Sequence, residues 1–263
     1  MQHSNETGYA PFRVNFLIVG AQKSGTTALA SFLGWHPEIC IPQIKELHFF
    51  DKYFHDFNTD EDRDRAYHAE FKNYAGENLI GEATPSYLFF PQVAGRIHRY
   101  NPKMKLVGIL RNPVERAISQ HAMELNRGDE TLQLPLALAA EKWRLFRYRV
   151  AENPTFAHRR FSYIHRGFYS HQIENLRRFF PKEQTLFLLS DDLSKHHHAT
   201  LLQVQRFLGL TSPELVAPEA RVFEAATKSP APAWINRSLR LLFHREIDRL
   251  EKLLGRDLGH WRM

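Results

Sequence analysis

The chain has 263 residues, 43% of them hydrophobic and 13% aromatic, enough to bury a sizeable core within one large α/β domain. Its formal net charge of +6 suits anionic partners, but the excess is spread along the sequence, so charge alone does not separate a phosphate-rich small molecule from nucleic acid. A single cysteine, Cys40, excludes an intrachain disulfide and a closed cysteine-based zinc site and fits a reducing cytoplasm.

Residues 1–12 are polar, lack the apolar run of a signal peptide, and read as a flexible N-terminus ahead of one domain over 13–263. Arg13 to Gly20 is a short apolar run closed by glycine, and Ser24 to Trp35 carries Ala, Leu and Phe at helical spacing, which predicts strand, loop, helix. Asn78 to Ala83 predicts a further short strand and Pro91 to Tyr100 a helix. Lys105 to Leu110 predicts a second buried strand, after which Asn112 and Pro113 supply an N-cap and a first-turn proline for a helix over Val114 to Asn126. Helices are expected over Phe168 to Phe180, Thr200 to Leu208 and Trp234 to Leu254, and a strand over Gln184 to Leu189. Strands alternating with helices imply a single domain built on a central parallel sheet flanked by helices. The stretches Asp51 to Tyr74 and Arg127 to His165 are less regular and are expected over the strand ends, where ligands bind in this class. No run reaches the eighteen or so apolar residues of a membrane span.

The first strand leads into Gly20-Ala21-Gln22-Lys23-Ser24-Gly25-Thr26-Thr27 and then directly into a helix. Such a turn aims backbone N–H groups at one point, at the positive end of a helix dipole, and adds a lysine, which together make an anion cradle. A nucleotide-triphosphatase loop would place lysine after its second glycine, whereas Lys23 precedes Gly25. A second phosphate-binding element is expected where the Lys105–Leu110 strand ends in Arg111, with Ser119 eight residues on along the next helix. Further candidates lie in Lys45-Glu46-Leu47-His48-Phe49-Phe50-Asp51. A glutamate desolvated by phenylalanines, or a histidine tuned near neutrality, suits general base chemistry, and in extended chain Glu46 and His48 would point the same way.

The loop QKSGTTAL after an apolar strand resembles the 5′-phosphosulfate loop of sulfotransferases that use 3′-phosphoadenosine 5′-phosphosulfate (PAPS). The resemblance implies a P-loop-like sulfotransferase fold, with Lys23 at the transferred group and Ser24, Gly25, Thr26 and Thr27 on the 5′-phosphate. By the same resemblance Arg111 and Ser119 bind the 3′-phosphate, Arg166-Gly167-Phe168-Tyr169 packs near the nucleotide with Tyr169 as a contact, and Lys228 in FEAATKS falls on a loop over the adenine and 3′-phosphate. KELHFFD is similar to the segment of heparan sulfate O-sulfotransferases and related bacterial enzymes whose glutamate is the base, which implies Glu46 in that role and His48 as support or alternative. Gly81 to Tyr87 matches a family segment carrying a lysine where this chain has Ala83. That departure favours a bacterial-type relative acting on a saccharide, lipid or small-molecule hydroxyl or amine. The resemblance implies PAPS as co-substrate and no metal.

Two other readings stay open on the residues alone: a nucleotide kinase with an altered loop, and a catalytically silent nucleotide-binding scaffold. His196, His197 and His198 read as a solvated helix start and not as metal ligands, since consecutive side chains diverge. Arg144, Arg147, Arg149, Arg159, Arg160 and Arg166 read as a solvated basic face. No aromatic platform or groove-reading helix points to nucleic acid. Neither the acceptor nor the oligomeric state is named by the sequence.

Overall fold

Five short runs become strands: β1 (Phe16–Gly20), β2 (Ile39–Cys40), β3 (Leu79–Ala83), β4 (Lys105–Leu110) and β5 (Thr185–Leu189). In the computed structural model, which describes residues 12–147, 156–210 and 231–263, they form one sheet in the order β2-β3-β1-β4-β5, and every neighbouring pair is parallel. The β1 strand sits at the centre, between Gly81 to Ala83 on one side and Lys105 to Gly108 on the other. With both neighbours paired, its side chains alternate between two apolar layers, which is why the run reads as continuously hydrophobic.

Ten helices among the described residues cover the sheet: α1 (Thr26–Leu33), α2 (Asp60–His68), α3 (Pro91–Tyr100), α4 (Pro113–Arg127), α5 (Leu134–Arg147), α6 (Phe156–Arg160), α7 (Tyr169–Arg177), α8 (Ser190–Lys195), α9 (His197–Leu208) and α10 (Ala233–Leu254). Phe16, Ile18, Val107, Ile109 and Leu188 pack with Leu29 and Leu33 of α1 and Leu201 and Val204 of α9. Leu17, Val19, Leu106, Leu110 and Leu189 pack on the other face with Val93 and Ile97 of α3, Ile173 of α7 and Phe243 and Ile247 of α10. Each fully buried Leu, Ile or Phe contributes roughly 1.5–3 kcal/mol. Asn112 caps α4 as expected, its side chain accepting from Val114 N at 3.0 Å, and Gly128 ends the helix with φ 76°.

The two stretches expected to be irregular contain helices. The α2 helix is capped by Thr59, which accepts from Asp62 N at 3.0 Å, but it buries Arg63, Asp64 and His68 beside Tyr67, so it has no apolar stripe to announce it. The α5 and α6 helices lie within the other stretch. Its last residues, Tyr163 to His165, are fastened to α4 and α5 through two buried groups. Arg116 of α4 donates to Gln120 Oε1 at 2.8 Å and to the Tyr163 carbonyl, while Glu141 of α5 accepts from Ile164 N at 2.7 Å and His165 N at 2.8 Å. These contacts fix the start of α7 and hence Tyr169. The two-residue β2 is too short to register as a periodic pattern.

Candidate active site

The turn after β1 is fixed by Ala21 N donating to Ile109 O at 2.8 Å and Ser24 N donating to Ala21 O at 3.2 Å. Lys23 takes a left-handed backbone with φ 69°, and Gly25, at the N-cap of α1, has φ 101°, a conformation that favours glycine. The chain also runs close against its neighbour, because a Cβ on Gly20 would sit 2.8 Å from Leu88 Cβ. The first N–H groups of α1 have no intrahelical acceptor, so this end of the helix is set to receive an anion. Ser24 and Thr26 are buried, Thr27 is half-buried and Gly25 is exposed. Gln22 Oε1 is buried without a hydrogen-bond partner among the described residues, and the buried Ser24 hydroxyl has the Tyr169 hydroxyl beside it.

Lys23, Arg111 and Ser119 line one cavity of about 580 Å³. Lys23 and the pair are thus brought together, while Ser24, Gly25, Thr26 and Thr27 are not among the cavity-lining residues, and Arg111 Nη1 donates to the Lys23 carbonyl at 3.4 Å. Arg111 is otherwise held by Glu115, whose Oε2 accepts from Nε at 3.0 Å and Nη2 at 2.7 Å. Tyr169 donates its hydroxyl to the Arg111 carbonyl at 3.0 Å, and burial pushes that phenol up to about 12. The Lys23 ammonium is pushed down by burial and by the nearby charges of Arg127, Arg111 and Lys45. Such crowding of cations lowers the cost of bringing a polyanion into the cavity. Lys228 lies outside the described residues.

Glu46 and His48 do not sit in extended chain. Both have left-handed backbones, with φ 59° and 55°, and a π-helical turn follows over Phe49–Tyr53. The two side chains still meet: His48 Nε2 is 3.7 Å from Glu46 Oε2, and Lys45 Nζ is 3.1 Å from Glu46 Oε1. On its other side His48 Nδ1 lies 3.1 Å from Asp51 Oδ1. Asp51 is fully buried; its Oδ2 accepts from Ser86 Oγ at 2.5 Å and from Arg159 Nη1 at 2.8 Å, and its carbonyl accepts from Arg159 Nη2 at 3.1 Å. A buried carboxylate on Nδ1 fixes which ring nitrogen carries the proton, leaving Nε2 toward Glu46. Asp51 and Ser86 received no role from the sequence, and Arg159 only a place on a solvated basic face. Asp51 had a readable signal, three residues after His48 in a helical turn; Arg159, 108 residues away, had none.

Behind this segment His48 N donates to Thr84 Oγ1 at 3.3 Å, and the Thr84 hydroxyl donates to Glu82 Oε2 at 2.7 Å. Burial pushes Glu82 up to about 7, against the hydrogen bonds of Tyr87 and Thr84. The unfolded chain loses this proton near the ordinary carboxyl value of 4.5, whereas the folded chain keeps it to about 7. Stability is therefore expected to fall as pH rises between those values, by on the order of 3 kcal/mol for this group. Urea denaturation at pH 5 and pH 8 checks it: Glu82→Gln should remove that part of the slope, and equal slopes in both proteins would contradict the assignment.

A model of the sulfotransferase domain family matches residues 13–230. The chain belongs to the sulfotransferase family. It is 33% identical over 195 residues to mouse heparan sulfate glucosamine 3-O-sulfotransferase 6, covering 74% of this chain and 52% of that protein. It is 39% identical over 110 residues to the membrane-associated sulfotransferase kil1 of Dictyostelium discoideum, covering 41% of this chain and 22% of that one. The chain thus spans about half the length of the 3-O-sulfotransferase relative. The crystal structure of a sulfotransferase from Alicyclobacillus acidocaldarius superposes with a TM-score of 0.77 at 30% identity, covering 96% of this chain and all of that one. A mouse sulfotransferase, SULT7A1, complexed with PAP shares the fold at 15% identity and a TM-score of 0.53.

Within this sulfotransferase-family chain the expected solvated basic face is corrected. Arg144 pairs with Glu130 at 2.6 Å, Arg159 with Asp51, Arg160 with Asp129 at 2.6 Å, and Arg166 is buried with its guanidinium 4.3 Å from the centre of the Phe89 ring. Arg149, and the side chain of Arg147, lie outside what is described. The cluster is a set of internal ties whose acidic partners are scattered in sequence. The histidine run opens α9 with His196 and His198 exposed, as expected, but His197 is buried and meets Phe32 edge-on at 4.5 Å. Cys40 is a buried core residue in β2. Among the described residues no helix is long and apolar enough to cross a membrane.

Proposed function

We propose that this chain transfers a sulfuryl group from PAPS to a hydroxyl or amine of a saccharide, lipid or small-molecule acceptor. One observation supports the reading above all others: Lys23 of the turn and the Arg111 and Ser119 pair line a single cavity. The residues suit a doubly phosphorylated adenosine, with the N–H groups that open α1 and a lysine on one side, and an arginine and a serine on the other. When bound, PAPS supplies the electrophilic sulfuryl group and a bisphosphate leaving group.

Lys23, Ser24, Gly25, Thr26 and Thr27 hold the 5′ end, where donors fixed before reaction meet growing negative charge. Arg111 and Ser119 hold the 3′-phosphate, with Tyr169 steadying the Arg111 backbone and Lys228 as a further contact. Glu46 takes the acceptor's proton. His48, oriented by Asp51, supports it or takes the proton itself on Nε2, where the buried carboxylate stabilises the imidazolium. Ala83 lies in the apolar layer under α1 and brings no cation; Lys45, next to Glu46 and close enough to depress Lys23, is the replacement we assign. Lysine and backbone donors meet the charge of this reaction without asking for a metal. The single cysteine fits the cytoplasm as its compartment.

Adenosine 3′,5′-bisphosphate is expected to raise the melting temperature well above any effect of ATP with magnesium. Arg111→Ala should weaken bisphosphate binding roughly 10- to 100-fold by calorimetry, the size of a lost charge-assisted contact. Preference for ATP with magnesium would turn the reading toward phosphoryl transfer.

A further inference from the structure

The family match ends at residue 230, yet the far wall of the donor cavity is built from residues beyond it: Ala231, Asn236 and Arg240 at α10, and His260 and Met263 at the C-terminal turn. Asn236 and Arg240 are one helical turn apart and share a face of α10, opposite the Glu115 and Ser119 face of α4.

The charge on that cavity is unevenly compensated. Lys23, Arg111, Arg127 and Arg240 line it, and among the described residues the one acidic side chain in the lining is Glu115. Arg111 has two of its nitrogens on Glu115, so the pair beside Ser119 presents little net charge. Arg127 has Glu124 at 3.6 Å. Among the described residues no carboxylate pairs with Lys23 or with Arg240, and Arg240 is exposed toward the cavity it lines. Among the described residues two cations without an ion-pair partner therefore stand in one cavity. A ligand with an anionic group at each end matches them, and each phosphate carries roughly −1.5 to −2 charges.

Resting on the donor reading above, we propose that Arg240 is a specificity-determining residue that grips the 3′-phosphate from the α10 side. Arg111 and Ser119 set the direction of the hydrogen bonds, and Arg240 supplies the charge that Glu115 removes from Arg111. The far wall of the nucleotide site is then a property of the C-terminal helix, outside the matched domain.

Calorimetric titration of the full chain with adenosine 3′,5′-bisphosphate and with adenosine 5′-monophosphate tests this without any turnover. Arg240→Ala should lose roughly 10- to 100-fold for the bisphosphate and no more than about twofold for the monophosphate, with Arg240→Lys in between. Because the side chain is exposed, the melting temperature of the free variant should stay at the wild-type value. An unchanged bisphosphate affinity, or equal losses for both nucleotides, overturns the role of Arg240. A wild-type protein that does not favour the bisphosphate overturns the donor reading itself, and the inference with it.

Discussion

Glu46→Gln is expected to lower the rate of sulfuryl transfer by about 10²–10⁴-fold while leaving adenosine 3′,5′-bisphosphate binding within about twofold of wild type. The amide keeps the shape of the side chain and removes its capacity to accept a proton. Glu46 sits outside the cavity lining, so the nucleotide should not register the change. Single-turnover rates with saturating donor, beside a binding isotherm for the bisphosphate, measure the two quantities separately. His48→Asn is the decisive companion, since the same ring is 3.7 Å from Glu46 and 3.1 Å from Asp51. If the Gln variant keeps its rate and the Asn variant loses it, the base is His48.

Asp51→Ala is expected to destabilise the fold by about 3–5 kcal/mol, because it strips a buried carboxylate from three partners and leaves Arg159 without its counter-charge. Burial alone would raise the Asp51 carboxyl, but the hydrogen bond from His48, the charge of Arg159 and the Ser86 hydroxyl hold it below its ordinary value of 3.8. A depressed folded value means that the contribution is present above that ordinary value and is lost as pH falls below it. Denaturant unfolding at pH 7 and pH 3 should therefore show the penalty of the Ala variant shrinking in acid. Asp51→Asn keeps the volume and removes the charge, so a loss of rate in a still-folded Asn variant separates the orientation of His48 from bulk stability. An Ala variant as stable as wild type at pH 7 would contradict the network.

Much of this was legible because the relevant signals are local. The Lys105–Leu110 run, the Asn112 cap and the helix after it are written in consecutive residues, and so is the turn from Gly20 to Thr27. The Arg111 to Ser119 spacing carries from sequence to structure because a helix converts eight positions into a little over two turns. What was hidden depends on distance or on polarity. The α2 helix buries an arginine, an aspartate and a histidine, which periodicity in apolar residues does not detect. Arg159 meets Asp51 only through α6, and Arg144, Arg159, Arg160 and Arg166, which looked like a wet face, are ion-paired or buried by carboxylates and rings from other segments. Glu46 and His48 were expected to align as in a strand; instead two left-handed residues and a π-helical turn bend the chain so that they converge.

The origin of Arg159 has a consequence for how the molecule becomes competent. The anion cradle is assembled from the ends of β1 and β4, adjacent strands at the middle of the sheet, and matures with the sheet itself. The trio of Glu46, His48 and Asp51, to which we assign the proton transfer, is tied through Asp51 to Arg159 of a five-residue helix, α6, contributed more than a hundred positions downstream. On that assignment, loosening of that one short helix is expected to leave a protein that still captures nucleotide yet no longer turns it over, so retention on a nucleotide resin and enzymatic output are distinct readouts of its integrity.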